Sequence, residues 1–393
     1  MIVHSYYPVG ETRVQREALA LRDAGFEVHV IALRGVGEAS VEVVDGVRVY
    51  RAPVRRHKGH GPAAQLLEYL AFFFAALGTA AALMFRYRYR TVQVHNLPDF
   101  LVFAALPAKL MGAAVVLDLH DLMPELFAGR FDTDLRDKKV RLIGAQERWS
   151  ARFADFVITV THDWRQTLID RGVPAEKVGV VMNLADGRLF RRRPAIPHSG
   201  IRLVYHGTFT HRYGVDVAIA AIALARHDVP DIHLSLLGAG ETRDELMDLR
   251  SHLGLEACVE VSEGMLDAAL LPERIASADI GVVPNRSNVF TDGILPTKLL
   301  EYVAMGVPVI VSETPGISAY FDPSMVRFVA PGDPRSLADA IIELAGDRDR
   351  RAALVAAADV FGKRFTWEEH SLEYIDMIGR LIDPAAFDEG SPV

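Results

Sequence analysis

The segment Leu295–Glu313, which reads LPTKLLEYVAMGVPVIVSE, constrains the fold more than any other stretch of this chain. Pro296 suits a first helical turn, because the N–H that proline lacks would be unpaired there. Apolar residues follow at helical spacing, and Gly306 with Pro308 ends the helix. Val307–Ser312 is then a β-branched run, which is typical of a buried parallel strand. The segment is therefore predicted to be a loop, a short helix and a strand.

Strands and helices alternate in the same way along the rest of the chain. A predicted helix over Arg13–Ala24 separates the predicted strands Met1–His4 and Phe26–Leu33, and such a βαβ unit favours a parallel sheet with right-handed crossovers. The other predicted strands are Val47–Pro53, Thr91–His95, Ala113–His120, Phe156–Thr161, Val178–Met182, Ile201–Tyr205, Ile232–Leu237, Val259–Val261, Ile280–Pro284 and Val326–Val329. This alternation predicts an α/β fold.

A charged stretch that contains Pro and Gly, Arg191–Gly200, is the best candidate for a linker. We therefore predict two doubly wound, Rossmann-like domains, residues 1–187 and 188–366. Ligands of such sheets bind beyond the carboxyl ends of the strands, so the two domains are expected to face each other across a ligand-binding cleft.

The composition excludes several classes of protein. The chain of 393 residues is half hydrophobic, which is enough for two domains. Its net charge of −8 argues against general nucleic-acid binding. The single Cys258 excludes an internal disulfide and a cysteine-rich metal site, as expected in a reducing cytoplasm. The first residues, MIVHSYYP, lack the features of a signal peptide.

Lys298 and Glu301 lie three residues apart on the predicted helix, on the face opposite its leucines. One interpretation is a solvated ion pair, which contributes about 0.2–0.5 kcal/mol. The other is a nucleotide site, because the N–H groups and positive dipole end of a helix N-terminus attract phosphate and a lysine adds a full charge. One turn further, a carboxylate can accept two hydrogen bonds from a ribose cis-diol.

An apolar stretch, Leu66–Phe85, carries no charged residue from Tyr69 onward and is almost long enough to span a membrane. A true span would separate strands that must join one sheet. Two interpretations therefore remain: a crossover helix buried on most faces, or a helix partly embedded in a membrane interface. We favour the interpretation as a helix embedded in a membrane interface, because basic residues flank the stretch in an otherwise acidic chain. These are Arg55, Arg56, Lys58, Arg86, Arg88 and Arg90.

Two short motifs are weak. Asp132 and Asp134 form an Asp-x-Asp pair that could hold a divalent cation, but they lie in a charged loop and we predict no metal site. Gly238 and Gly240 begin a dinucleotide-binding fingerprint whose third glycine is replaced by Arg243.

Two long segments resemble the retaining family-4 glycosyltransferases of GT-B fold. They are LPTKLLEYVAMGVPVI, which fits a subgroup reading P-x-K-x-x-E-Y-x-A, and HNLPDFLVFAALPAKLMGAAVVLDLHDLMPEL. The fuller family pattern has two glutamates eight positions apart. The second is Glu301 here, but Gly293 stands at the first position, with Asp292 beside it.

The resemblance implies roles for individual residues. Glu301 would hold the ribose, and Lys298, with Arg212, would take the donor phosphates. His120 would face the transferred sugar. Further candidates on the donor side are Thr297, Glu263, Gly264, Asp292 and Gly293. Candidates on the acceptor side are Gly10, Glu11, Arg13, Asp121 and Glu125. The closing helix, Trp367–Ile382 within the segment 367–393, would cross back onto the first domain.

The function implied is retaining, metal-independent hexosyl transfer from a nucleotide diphosphate sugar, with UDP as the expected nucleotide and no cofactor. The apolar helix suggests a lipid-linked glycan or glycolipid acceptor in surface polysaccharide synthesis, and a place at the inner face of the cytoplasmic membrane. Two alternatives remain open: a non-catalytic nucleotide-sugar-binding protein, because the first glutamate is missing, and a nucleotide-sugar epimerase of the same fold.

Overall fold

A computed structural model describes residues 1–8, 11–56, 61–194 and 196–382. The chain divides into two compact units. The first comprises Met1–Asn183 together with the chain from Glu368 onward, and the second comprises Leu184–Trp367. The division falls four residues before the predicted boundary at 187. A physical reason is that Asn183 still belongs to the first unit, where its side-chain oxygen accepts a hydrogen bond of 3.0 Å from Arg13.

The described residues of the first unit form one eight-stranded sheet with the order β3-β4-β2-β1-β5-β6-β7-β8, in which only the β3–β4 pair is antiparallel. The strands are β1 Ile2–Tyr6, β2 His29–Leu33, β3 Val41–Val44, β4 Val47–Ala52, β5 Thr91–His95, β6 Ala114–Leu119, β7 Phe156–Thr159 and β8 Val178–Val180. The helices are α1 Thr12–Asp23, α2 Pro62–Tyr87, α3 Leu106–Leu110, α4 Met123–Phe131, α5 Lys138–Phe153 and α6 His162–Asp170, with a 3-10 segment over Asp99–Ala105.

The second unit, within its described residues, is a six-stranded parallel sheet with the order β11-β10-β9-β12-β13-β14. The strands are β9 Ile201–Thr208, β10 Ile232–Ala239, β11 Val259–Val261, β12 Ile280–Val283, β13 Val309–Ser312 and β14 Arg327–Val329. The helices are α7 Val215–Ala225, α8 Arg243–His252, α9 Leu271–Ala276, α10 Thr297–Met305, α11 Pro315–Ser318, α12 Pro334–Gly346 and α13 Arg348–Arg364.

The fold class expected from the sequence is confirmed in both units. In the segment that constrains the fold, α10 ends at Gly306, whose φ of 72° lies in the left-handed region, and β13 follows. Strand β3 was not among the predicted strands. Asp45 and Gly46, both at positive φ, form its turn into β4, and an Asp-Gly pair between β-branched residues is a hairpin signal that could have found it.

The last helix, α14 Trp367–Ile382, packs on the first unit, where the Tyr374 hydroxyl donates a 2.6 Å hydrogen bond to Gln93 on β5. The rest of the predicted closing segment, residues 383–393, lies outside the described residues.

Helix α2 connects β4 and β5, which belong to the same sheet. By length and composition this helix is apolar enough to cross a membrane. Only 28% of its apolar 18-residue stretch is buried inside the protein. The interpretation as a crossover helix buried on most faces is therefore wrong. One face packs on the sheet, and the opposite face exposes an uncharged stripe to solvent. The large exposed residues are Leu66, Leu67, Leu70, Phe74 and Phe85. Lys58, one of the flanking basic residues, lies outside the described part of the chain.

Candidate functional site

Two parallel strands of the first unit, β5 and β6, end side by side and bring three polar side chains together. Nδ1 of His95 lies 3.1 Å from Oδ2 of Asp118 and 3.1 Å from Nε2 of His120. Nε2 of His120 is itself 3.4 Å from the same Asp118 oxygen. His120, the histidine predicted to face the sugar, thus contacts a buried carboxylate and a second histidine, His95, which was not among the predicted site residues.

Arg13 was predicted to contact the acceptor, but it is only 3% exposed and lies beneath this group. Its guanidinium binds both oxygens of Asp118, at 3.0 and 2.9 Å, and also lies 3.0 Å from Glu17. Gln93 donates to Glu17 at 2.7 Å and to Asp118 at 3.2 Å. Arg13 therefore supports Asp118 from inside the protein, because the helical turn at the start of α1 points it inward.

The electrostatics shift the pKa values of the two histidines in opposite directions. Burial raises the pKa of Asp118, but Arg13 and His120 together hold it well below its usual range. Burial lowers the pKa of His120, yet Asp118 outweighs this and the pKa lies above its ordinary value. Burial lowers the pKa of His95 to about 4. The arrangement favours a neutral His95 and an imidazolium at His120, which could donate a hydrogen bond to a sugar hydroxyl.

His95, Asp118 and His120 also place three possible metal-ligand atoms within 4.8 Å of one another. A cation fits poorly among them. The Asp118 oxygens already accept hydrogen bonds from Arg13 and Gln93, and a metal ion would lie beside a guanidinium charge. The chemistry of this donor set therefore favours a hydrogen-bonded histidine over a metal centre.

The other candidates on the acceptor side differ in their surroundings. The Asp121 carbonyl accepts a 2.7 Å hydrogen bond from Asn96, which fixes the loop after His120. Glu125 lies in the first turn of α4, is buried and forms an ion pair with Arg171. Its carboxylate is thus engaged inside the first unit. Gly10 lies outside the described residues.

In the second unit, Lys298 lies in the first turn of α10 and is 8% exposed, so the interpretation as a solvated ion pair is wrong. Its ammonium lies 5.2 Å from the centre of the Tyr205 ring and 4.6 Å from that of Tyr213. Both distances suit cation–π attraction. Burial lowers the pKa of Lys298 to about 8. Thr297, beside it, is exposed.

Glu301 lies one turn further along α10, and its Oε2 is 3.0 Å from Nε2 of His206 on β9. His206 is buried, whereas the side chain of Glu301 is 17% exposed. The histidine lies beside one carboxylate oxygen at ion-pair distance. In the described part of the chain Oε1 has no hydrogen-bond partner, so it remains able to accept from a ligand hydroxyl. His206 was not among the predicted site residues, because the predicted strand Ile201–Tyr205 stops one residue before it, whereas β9 continues to Thr208.

Arg212 lies in the short turn His211–Tyr213 that follows β9. Its guanidinium lies over the rings of Tyr213 and Phe290, at 5.1 and 5.6 Å. It is close enough to Lys298 for the two charges to repel, because Arg212 contributes to the lowered pKa of that lysine. The structure therefore brings both predicted phosphate-binding cations to one place beside the start of α10.

The remaining donor-side candidates are in loops of the second unit. Glu263 is exposed after β11, and the carbonyl of its neighbour Gly264 accepts a 2.9 Å hydrogen bond from Ser262. Asp292 and Gly293 lie in the loop before α10, where the Asp292 carboxylate accepts from Ser287 at 3.0 Å. Nothing in this loop provides the glutamate that the family pattern has at position 293.

Family models agree with this geometry. Residues 10–183 match the model described as "Glycosyl transferase 4-like domain", and residues 200–347 match "Glycosyl transferases group 1". The chain belongs to the glycosyltransferase family that these two domain models describe. The assignment makes it a transferase and accounts for both units.

The amylovoran biosynthesis glycosyltransferase AmsK of Erwinia amylovora is 27% identical over 209 residues, which are 52% of this chain and 51% of AmsK. The chain thus aligns with about half of that relative.

Solved structures support the GT-B fold of this glycosyltransferase. Sucrose-phosphate synthase from Thermosynechococcus elongatus superposes with a TM-score of 0.78 at 20% identity and covers 95% of this chain and 94% of its own. Anabaena HepE in complex with UDP-glucose has a TM-score of 0.70 at 17% identity, with 96% and 98% covered. The GT4-type glycosyltransferase family and the fold of two Rossmann-like α/β domains, both expected from the sequence, are therefore confirmed.

Proposed function

We propose that this glycosyltransferase takes a sugar from a UDP-sugar and transfers it with retention of the anomeric configuration. The observation that carries the proposal is the start of α10, where a helix N-terminus, Lys298 and the carboxylate of Glu301 follow one another. Their spacing suits a diphosphate next to a ribose. The complex of HepE with UDP-glucose supports the choice of nucleotide.

In the proposed reaction the bond between the anomeric carbon and the diphosphate oxygen breaks, and its electron pair leaves with UDP. The acceptor hydroxyl oxygen forms the new bond on the same face, and its proton passes to the departing phosphate oxygen. Lys298, Arg212 and the N–H groups of α10 stabilise the charge that develops on the diphosphate. Glu301 holds the ribose, and the imidazolium of His120 donates to a hydroxyl of the transferred sugar. We propose that no metal ion takes part.

The donor site can be tested by titrating UDP into the purified protein and measuring the heat of binding, with and without EDTA. We expect binding to UDP that EDTA does not change. Glu301→Gln should weaken it roughly ten- to a hundredfold, because hydrogen bonds to a charged group contribute about 1.5–3 kcal/mol. Glu273→Gln, an exposed glutamate on α9, is the matched control and should bind as the wild type does. Equal affinity of the two variants would exclude the ribose role of Glu301.

The stereochemical course has its own test. We expect the product of transfer from an α-linked UDP-sugar to carry an α linkage, because departure and attack on one face of the ring preserve configuration. The coupling constant of the anomeric proton in the NMR spectrum of the fresh product reports this directly. A β-linked product would contradict the proposal and point to a displacement from the opposite face.

The acceptor is proposed to be a lipid-linked glycan or glycolipid at the inner face of the cytoplasmic membrane. The uncharged stripe that α2 exposes supports this, since exposed apolar surface beside basic residues is typical of interfacial helices. AmsK is named for polysaccharide biosynthesis, which supports the same process for this chain. Vesicle binding by variants of α2, described below, tests the membrane contact.

A further inference from the structure

Helix α5 of the first unit exposes two large apolar side chains on its outer face. Leu142 is 72% exposed and Trp149 is 67% exposed. They lie seven residues apart, which places them two turns apart on one side of the helix. The inner face is buried against the unit by residues that include Val140 and Ala151. Leu142 and Trp149 therefore form an apolar stripe that the packing of the unit does not use.

The same outer face is strongly basic. Its exposed charged residues are Lys138, Lys139, Arg141, Arg148 and Arg152. The one acidic residue of the helix, Glu147, is only 1% exposed and binds Arg171 at 2.8 Å. Five exposed positive charges against one exposed carboxylate, Asp137 at the N-cap, are unexpected on a chain of net charge −8. They indicate an anionic partner.

A groove of about 690 Å³ lies along this helix and reaches Pro124 on α4. Lys138, Arg141 and Arg148 line it next to Leu142. None of these three cations forms an ion pair with a carboxylate in the described residues. The groove therefore combines free positive charge with apolar surface, which is the combination that the headgroup and upper chain of an anionic lipid require.

We propose that the outer face of α5 is a membrane-contact surface. Anionic phospholipid headgroups bind Lys138, Arg141 and Arg148 along the groove, while Leu142 and Trp149 enter the boundary between headgroups and acyl chains. Tryptophan is enriched at this depth because its ring is apolar and its N–H needs a polar partner. A second copy of the chain does not suit this face, since two α5 helices would bring like charges together.

The outer face of α5 carries positive charge, which the exposed stripe of α2 lacks. α2 packs on the 3-10 segment Asp99–Ala105, which packs on α5, so the three belong to one layer of the first unit. The exposed stripe of α2 between Leu67 and Phe85 has no charge, whereas α5 contributes five. The inference about α5 does not depend on the donor or on the reaction proposed above.

The test is sedimentation of the full chain with vesicles of phosphatidylcholine alone or of phosphatidylcholine with phosphatidylglycerol. We expect binding to the anionic vesicles that weakens as salt is added. Arg141→Gln with Arg148→Gln should weaken it by at least about tenfold, since each basic residue near such a surface contributes about 1 kcal/mol. Leu142→Ser with Trp149→Ser should reduce it to a similar extent.

Two controls keep the outcomes separate. Leu372→Ser, at a residue of α14 that is 66% exposed, should bind vesicles as the wild type does. Fluorescence adds a direct readout, because emission from Trp149 should shift to the blue only with anionic vesicles, and Trp149→Phe should remove the shift. Full binding by both α5 pairs would overturn the proposal. If Leu67→Ser with Phe74→Ser alone abolished binding, the membrane contact of α2 would stand and that of α5 would not.

Discussion

Replacing Lys298 by methionine is expected to lower kcat by about 10²–10³-fold, the usual result of removing one group that stabilises charge in a transition state. The ammonium is buried between Tyr205 and Tyr213, so methionine fills its space without leaving an unpaired charge. Stability should therefore change little. Turnover with excess donor and the thermal midpoint, measured on the same samples, separate the two effects. Full turnover in this variant would return Lys298 to a structural role.

Two comparisons make the Lys298 experiment specific. Lys363→Met, an exposed lysine on α13, removes the same charge from the surface and should leave kcat unchanged. In the wild type, kcat/KM should fall as the pH rises through about 8, because burial lowers the pKa of Lys298 to about 8 and the free enzyme then loses the charge. Lys298→Arg should remove this decline, since arginine stays protonated.

The elements that carry the site could be predicted from local sequence. Thr91–His95 and Trp367–Ile382 were predicted with the boundaries that the structure has, and α10 with its glycine stop lies within a residue or two of its prediction. Each segment has a clear apolar period, and α10 also has Pro296 and Gly306 at its ends, so the signal does not depend on distant residues.

The environment of the site could not be predicted in this way. Lys298 is buried because tyrosines from β9 and from the turn after it cover the start of α10. His206 meets Glu301 only because β9 lies next to that helix in the fold. Helical spacing tells which residues share a face, but the residues that cover the face come from distant segments.

The exposed sides of α2 and α5 show the same limitation. A run of apolar residues fits a buried helix and an interfacial helix equally well, and only the packing of the sheet shows which side is covered. In α5 the basic residues alone would indicate an ordinary solvated helix face. Leu142 and Trp149 become informative once the structure shows them exposed.

Asp118→Asn is expected to destabilise the protein by about 3 kcal/mol, the lower end for breaking a buried ion pair, and to lower the thermal midpoint by several degrees. The change removes a carboxylate that is 0% exposed and binds Arg13 through both oxygens. Glu17 limits the loss: burial and the Asp118 charge raise its pKa to about 8, and once that charge is removed its carboxylate, 3.0 Å from Arg13, ionises more readily and pairs with it. Denaturant unfolding at neutral pH measures the difference in the free energy of unfolding.

The control is Asp376→Asn, which removes an exposed Asp–Arg pair on α14 whose expected contribution is about 0–1 kcal/mol. Linkage adds a second check. Because the pKa of Asp118 is depressed in the folded state, its contribution is present above the unfolded pKa and is lost as the pH falls through the folded one. The stability difference between wild type and Asp118→Asn should therefore shrink in acid. A constant difference would mean that the buried charge of Asp118 does not stabilise the fold, and that Arg13 is held by Glu17 alone.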